Sequence, residues 1–440
     1  MSLPLVSETA VDEAASTEPK HPRRWAITPP VDLENAVEFT KGQPFEAFAQ
    51  MRENAPVMWF PQQYGAGFWA LTRYSDVRAV DLDTQRFSSQ AGGILMSYAP
   101  PERRHPLLHR ASLDAMINLD KPWHMPLRRE HMPFFTPAYI AELRKKVENK
   151  VSDLLDRLEE KGPVVDLVED FSAELPLFTL CEMLGVPEAD RPKFIEWMHF
   201  LETAGYTLQR EELGEVDPED INRFLSEVQA MFEYGQAILK ERRADPKDDL
   251  LSAIANAKVD GELLSDEYLD GSWLLIVFAG NDTTRNSISG TMRLLTEFPG
   301  EREKLIDDPG LIPNMVHEAI RMVSPVMYMR RTCLEDTEIG GQMIGEGEKV
   351  LMYYGAANRD PAVFADPDSF DVTRANAKDH LAFGIGPHVC LGQRVANMQL
   401  EAAYRQILQR FPQARWTGRQ EIAPNNFVHA ISKLEVDLRG

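Results

Sequence analysis

Apolar residues recur at helical spacing along two long stretches, from Tyr139 to Arg243 and from Ser265 to Phe298, with polar residues between them. A shorter helix is predicted from Asn314 to Met322. It is entered through Pro313, whose missing N–H would be unpaired in a first turn anyway. A last long helix is predicted from Leu391 to Phe411, where Pro412 stops it. Strand patterns are few and short: "GFWALTR" near residue 70, and "TEIGGQMIGEGEKVLMYYG" from Thr337 to Gly355, which reads as hairpins turned at glycines. Residues 1–30 are polar, end in Pro29-Pro30, and are expected to form a disordered arm. The pattern predicts a mainly α protein with a small β portion, its single domain spanning residues 31–440.

Composition narrows the function classes. Of the 440 residues, 43% are hydrophobic and 26% charged, as in an ordinary globular protein. A formal net charge of −22 argues against nucleic acid and anionic membrane surfaces as partners. The longest apolar run, Trp273 to Ala279, is far below the roughly 20 residues of a membrane span. The first residues lack the apolar core of a signal peptide, and Cys181, Cys333 and Cys390 form no C-x-x-C pair. A cytoplasmic monomer is expected.

The chemistry concentrates in Phe383-Gly384-Ile385-Gly386-Pro387-His388-Val389-Cys390-Leu391-Gly392. A lone cysteine is most often inert packing, and that reading suits Cys181 and Cys333. Cys390 instead sits at a predicted helix N-terminus, where backbone N–H groups and the helix dipole stabilise a thiolate. Glycines at 384, 386 and 392 allow left-handed or crowded backbone beside a flat ligand. One thiolate without zinc-ligand neighbours suits a single axial bond to haem iron better than zinc, which wants three or four ligands.

This loop resembles the haem-binding signature of the cytochrome P450 family, F-G-x-G-x-H-x-C-x-G, at every defined position. The resemblance implies the cytochrome P450 fold, heme b as cofactor, Cys390 as iron ligand, His388 as a haem-propionate partner and Phe383 packed beside the sulfur. Gly392 closes the signature. "LLIVFAGNDTTRNSISG", from Leu274 to Gly290, read alone could be a helix ending, because glycine and threonine are poor helix formers. Periodic residues continue through Met292 and Leu295, so a local distortion fits better. The stretch resembles the family's oxygen-activation motif, with Asp282 as the acid and Thr283 as the alcohol of a proton relay. Glu318-Ala319-Ile320-Arg321 read alone is a surface ion pair of little value. With Arg374 downstream it resembles the family's E-x-x-R and meander, a structural network. His124 and Arg128 resemble a propionate clamp, although Pro126 between them is unusual. Arg331 matches a further propionate partner, with Arg330 as the alternative.

The resemblance implies a monooxygenase that inserts one atom of O₂ into a C–H bond. Electrons would come from a ferredoxin and its NAD(P)H-dependent reductase, docked near Arg128, Arg129 and Arg394. A non-catalytic haem-thiolate sensor is the rival reading, disfavoured because it needs neither Asp282 nor Thr283. The family's pocket-forming segments place Ile94, Leu95, Met96, Phe200, Leu201, Tyr206, Leu275, Phe278, Val326, Met327, Phe427 and Val428 around the substrate. All but Tyr206 are wholly apolar side chains, implying a hydrophobic substrate. The motifs look closest to terminal alkane and fatty-acid hydroxylases, with monoterpene and sterol side-chain branches similar. The basic segment Ser97–Met116 reads as a solvated loop, with a lid or an acidic head-group anchor as alternatives.

Overall fold

The computed structural model describes residues 18–62, 65–96, 106–194, 196–197, 218–259 and 261–440. Helices dominate. The longest early one, Pro137–Lys161, is capped by Thr136, whose hydroxyl accepts from the Tyr139 N–H. It buries Ile140, Leu143, Val147, Val151, Leu154 and Leu158, a stripe at three- and four-residue steps. The pattern that promised one helical region to Arg243 is in fact broken. Past Gly162 come the strand Val164–Asp166, a π-helical turn Val168–Ser172 and the helix Glu174–Leu184, which ends at the left-handed Gly185. The helix Pro218–Ala244 follows later.

The sheet is small, as expected. Its five strands run in the order Val57–Phe60, Phe68–Leu71, Lys349–Tyr353, Tyr328–Cys333, Phe87–Ser88. Val350 faces Trp69 on one side and Arg331 on the other. Strands Thr337–Ile339 and Gln342–Ile344 form the predicted hairpin, and Gly340 and Gly341 supply the positive φ its turn requires. Strand Lys349–Tyr353 leaves that hairpin and joins the large sheet.

Two expectations need correction. Residues 20–25 are not a free arm: they are tied to the Thr337–Ile344 hairpin and its flanks. The Lys20 N–H donates to Glu348 Oε1 at 2.6 Å, the Arg24 N–H donates to Gln342 Oε1 at 2.7 Å, and Trp25 packs into the apolar clusters flanking the sheet. Residues 1–17 lie outside the described part. The Ser97–Met116 stretch is not simply a loop either, because Pro106–Asp114 is helical. Its end presses on the Asp266–Ala279 helix at Gly271, where a Cβ would sit 2.6 Å from the Asp114 carbonyl carbon. Residues 97–105 lie outside the described part.

The helices Asp266–Ala279 and Asp282–Glu297 run through the apolar core, the second with Thr284 to Thr291 and Leu294 to Leu295 buried. The helix Ile312–Val323 begins two residues earlier than expected, with Pro313 in its first turn, as its proline allows, and the helix Gln393–Arg410 starts just past Cys390. Among the described residues no helix is long and apolar enough to cross a membrane.

Candidate active site

The Cys390 loop takes its shape from its glycines. Gly384 (φ 66°) and Gly386 (φ 75°) are left-handed, a conformation that costs other residues about 1–2 kcal/mol. Gly392 does not need positive φ (−80°); a Cβ there would stand 3.9 Å from the Cys390 sulfur. The Cys390 N–H donates to the Phe383 carbonyl at 2.8 Å, closing the loop. Cys181 and Cys333 are buried, with Cys181 pushed up to about 12 by burial; Cys390 alone is exposed. Its thiol is hemmed in by protein yet reachable from solvent. Burial raises its pKa, opposed by the Gly392 N–H, the Arg128 guanidinium and the Gln393 N–H.

Cationic and imidazole side chains gather on one side of this loop. The helix His124–His131 holds Pro126 in its first turn, where a missing N–H breaks no bond, so the proline and the His124/Arg128 pair coexist. Arg128 Nη2 donates to the Val389 carbonyl at 2.6 Å. The His124 ring stacks on His388 with centroids 4.0 Å apart. Burial holds His124 down to about 4 and His388 further below the usual imidazole range; Arg128 and Arg331 add to both effects. Strand alternation separates the two arginines. Arg331 acts on both imidazoles, whereas Arg330 Nη1 reaches toward the Leu95 carbonyl at 3.4 Å.

One residue here went unnoticed in the sequence. Asp81, 1% exposed, accepts from Arg331 Nη2 at 2.7 Å and from the Ile385 N–H at 2.9 Å, with Tyr354 Oη at 3.4 Å. The available signal was an acid in the last turn of the helix Tyr74–Leu82, the wrong end for the helix dipole.

In the core, the helix axis is interrupted at Gly280 and Asn281. Both keep right-handed dihedrals (φ −82°, ψ −22° and φ −98°, ψ −68°), so the direction continues through a distortion, not a stop. The Thr283 hydroxyl donates to the Ala279 carbonyl at 3.1 Å. Thr283 is part-exposed and its neighbour Thr284 is buried, so the two hydroxyls point to different surroundings. Burial pushes the Asp282 carboxyl up to about 7, against the Asn281 amide, which donates to it at 3.3 Å. Arg285 Nη2 stands 3.7 Å from Asp282 and is itself held down to about 10 by burial. The Asp282 side chain is still 25% exposed, so it retains a path to water.

The pocket candidates divide. The segments 94–96, 326–327 and 427–428 do meet: the Ile94 carbonyl accepts from the Arg330 N–H, Met327 N–H donates to the Phe427 carbonyl, and Val326 bridges to Val428. Leu95, Leu275, Val326, Phe427 and Val428 are part-exposed, Ile94 nearly buried, and Phe278 open. Met96 and Met327, at 1% and 0%, are buried and pack with Phe48, Phe68 and Tyr353 in a cluster that Phe427 also touches. Phe200, Leu201 and Tyr206 lie outside the described residues.

Phe383 packs partly buried against the main core and beside His380, with ring centroids 5.5 Å apart. Behind the loop, Glu318, Arg321 and Arg374 form a buried cluster, described below. Among the described residues no three His, Cys, Asp or Glu side chains group as a metal cage, leaving Cys390 as a lone thiol.

Comparison with known proteins identifies the family. The family model "Cytochrome P450" matches residues 35–434. The chain is 34% identical over 409 residues to linalool 8-monooxygenase of Pseudomonas putida, covering 92% of this chain and 98% of that one. It is 33% identical over 403 residues to the methyl-branched lipid omega-hydroxylase of Mycobacterium tuberculosis, with 89% and 90% covered. Mycobacterium marinum cytochrome P450 CYP268A2, solved in complex with pseudoionone, superposes with a TM-score of 0.82 at 32% identity, covering 93% and 99%. With a family model spanning nearly the whole chain and a lone thiol at the head of a core helix, the chain belongs to the cytochrome P450 family of haem-thiolate oxidoreductases.

Proposed function

We propose that this monooxygenase inserts one oxygen atom from O₂ into a C–H bond of a hydrophobic small molecule, an alkyl chain, terpenoid or steroid side chain, with electrons from a ferredoxin and its NAD(P)H-dependent reductase. The observation that carries the reading is the interrupted helix at Gly280–Asn281. It sets a part-exposed threonine hydroxyl next in the chain to a carboxyl raised to about 7.

The residues fit a haem. The reachable Cys390 thiol supplies one soft ligand, and His388 Nδ1 is a buried polar atom with no bond of its own within the protein. Two guanidiniums and two imidazoles at the loop's edge match the carboxylates such a group carries. Cys390 would hold the iron, and His124, Arg128, Arg331 and His388 the propionates. Bound there, haem supplies the iron on which O₂ is reduced, with the thiolate favouring O–O cleavage.

The protein's own part is then proton supply and exclusion. Asp282 holds a proton near neutral pH and exchanges it with water through its exposed quarter. Thr283, anchored to the Ala279 carbonyl, presents its hydroxyl oxygen as the next acceptor and donor. Leu275, Phe278, Val326, Phe427 and Val428 provide the apolar wall that orients a C–H bond and excludes water. The relatives support the substrate class: their names specify a terpene alcohol and a branched lipid. Exposed Arg129 and Arg394, with Arg128 behind them, offer a local positive surface to a ferredoxin despite the acidic whole.

The test is an optical titration of the ferric protein with medium-chain alkanes and fatty acids, monoterpenes, and steroids. A saturable Soret shift with one set, followed by substrate-stimulated NADH consumption with a ferredoxin and reductase, is the expected outcome. Spectral binding without any stimulated turnover would instead favour the sensor.

A further inference from the structure

We propose that Asp81 is a positioning residue that sets both the charge and the seating of the haem site, by joining Arg331 to the base of the Cys390 loop. The proposal rests on haem binding as read above.

The acid stands where local structure gives it no support. It lies in the last turn of the Tyr74–Leu82 helix, where carbonyl dipoles repel a carboxylate, and that turn holds no basic residue. It is almost completely buried, so desolvation disfavours its charge as well. Its compensation comes from elsewhere in the chain. Oδ1 takes the Arg331 guanidinium at 2.7 Å, and Oδ2 takes the Ile385 N–H at 2.9 Å. Gly384 passes so close that a Cβ there would lie 3.2 Å from Oδ2, so the loop and the carboxylate are fitted to each other.

Two consequences follow for the site. Arg331 also donates to the Arg330 carbonyl at 2.9 Å, so its guanidinium is fixed in direction by two acceptors. It faces the His124 and His388 imidazoles with its charge partly offset by Asp81. The same carboxylate pins the turn that begins the loop closed by the Cys390-to-Phe383 hydrogen bond. A buried negative charge here opposes adding an electron to the iron, and Arg331 favours it.

The experiment is a potentiometric titration of holoprotein carrying D81N, R331Q or both. D81N should raise the one-electron midpoint and R331Q should lower it, each by about tenfold in the reduction equilibrium or ~59 mV. The double variant should return toward the parent. A merely architectural role would reduce haem loading without these opposite shifts. If D81N does not load haem, R331Q and D81E still decide: D81E keeps the charge and should load with a potential near the parent's. Unchanged potentials in D81N and R331Q, or shifts of the same sign, overturn the proposal. A parent protein with no thiolate-type spectrum in its reduced CO complex would instead sink the haem-thiolate assignment itself.

Discussion

Glu318→Ala should be among the most damaging single changes outside the Cys390 loop. One carboxylate serves four donors: Arg321 Nε at 2.7 Å and Nη2 at 2.8 Å, Arg374 Nε at 2.9 Å, and the Asp371 N–H at 3.1 Å. Glu318 and Arg321 are wholly buried, so the exposed ion pair suggested by the i, i+3 spacing is not what forms. Truncation would strand two guanidiniums. Each keeps neutral acceptors, Arg321 on the Asn358 and Pro367 carbonyls at 2.7 and 2.8 Å, Arg374 on the Ala365 carbonyl at 2.6 Å. Breaking one side of a buried pair costs about 3–5 kcal/mol, and the surviving carbonyl bonds place this case near the lower figure, about 3 kcal/mol. Glu318→Gln keeps an acceptor and the shape but loses the charge, so about 1.5–3 kcal/mol is expected from the weakened charged hydrogen bonds. Against a typical total of about 5–15 kcal/mol, either loss is large.

The assay is denaturant unfolding followed by tryptophan fluorescence, with the haem-loaded fraction read from the reduced CO complex. Midpoints should fall in the order parent, Glu318→Gln, Glu318→Ala. Adding Arg321→Met to Glu318→Ala should cost less than the two single changes summed, because one stranded charge is removed. An alanine variant with the parent's midpoint, or full additivity in the double variant, would refute the stranded-charge reasoning.

Three further outcomes are expected. Thr283→Ala should keep its reduced CO spectrum while at least about tenfold of product formation is diverted to peroxide, measured as product and peroxide per NADH. The Asp282 carboxyl, raised to about 7, is protonated below that pH and ionised above it, so product per electron should fall as pH rises from 6 to 8. Asp282→Asn should give a low, flat profile, and the parent's slope persisting in that variant would remove the assignment. Gly384→Ala should lose about 1–2 kcal/mol from its left-handed backbone and crowd Asp81, seen as reduced haem loading and a lower unfolding midpoint.

How much of this was legible in the chain depended on how local each cause is. The Cys390 loop, the weak helix formers at Gly280 to Thr284 and the proline-entered helix at Pro313 carry their instructions within a few residues, and the structure follows them. Asp81 could not be read that way, since its partners Arg331 and Ile385 lie 250 and 304 positions away. The burial of Met96 and Met327 is not legible either, because apolar character is the same for a wall and a core and only packing decides which way a side chain turns. Arg330 and Arg331 differ by strand parity, which needs a register against Val350 and Leu351 to fix. The helical run after Lys161 was over-read because Gly162 and Gly185 were outweighed by continuing periodicity.

The attachment of residues 20–25 to the hairpin and its flanks uses main-chain and side-chain groups together. The amides of Lys20 and Arg24 and the carbonyl of Pro22 are joined by the Lys20 ammonium on the Glu346 carbonyl, the His21 ring on Asp336 and the Arg24 guanidinium on the Gly341 carbonyl. With contacts of both kinds, no single substitution would detach the seam, because the main-chain bonds do not depend on residue type. Single alanine changes at Lys20, His21 or Arg24 would each remove one contact, whereas shortening the chain would remove all of them together. Glu348, which also accepts from the Trp69 indole and the Gly345 N–H, would then lose one of its donors.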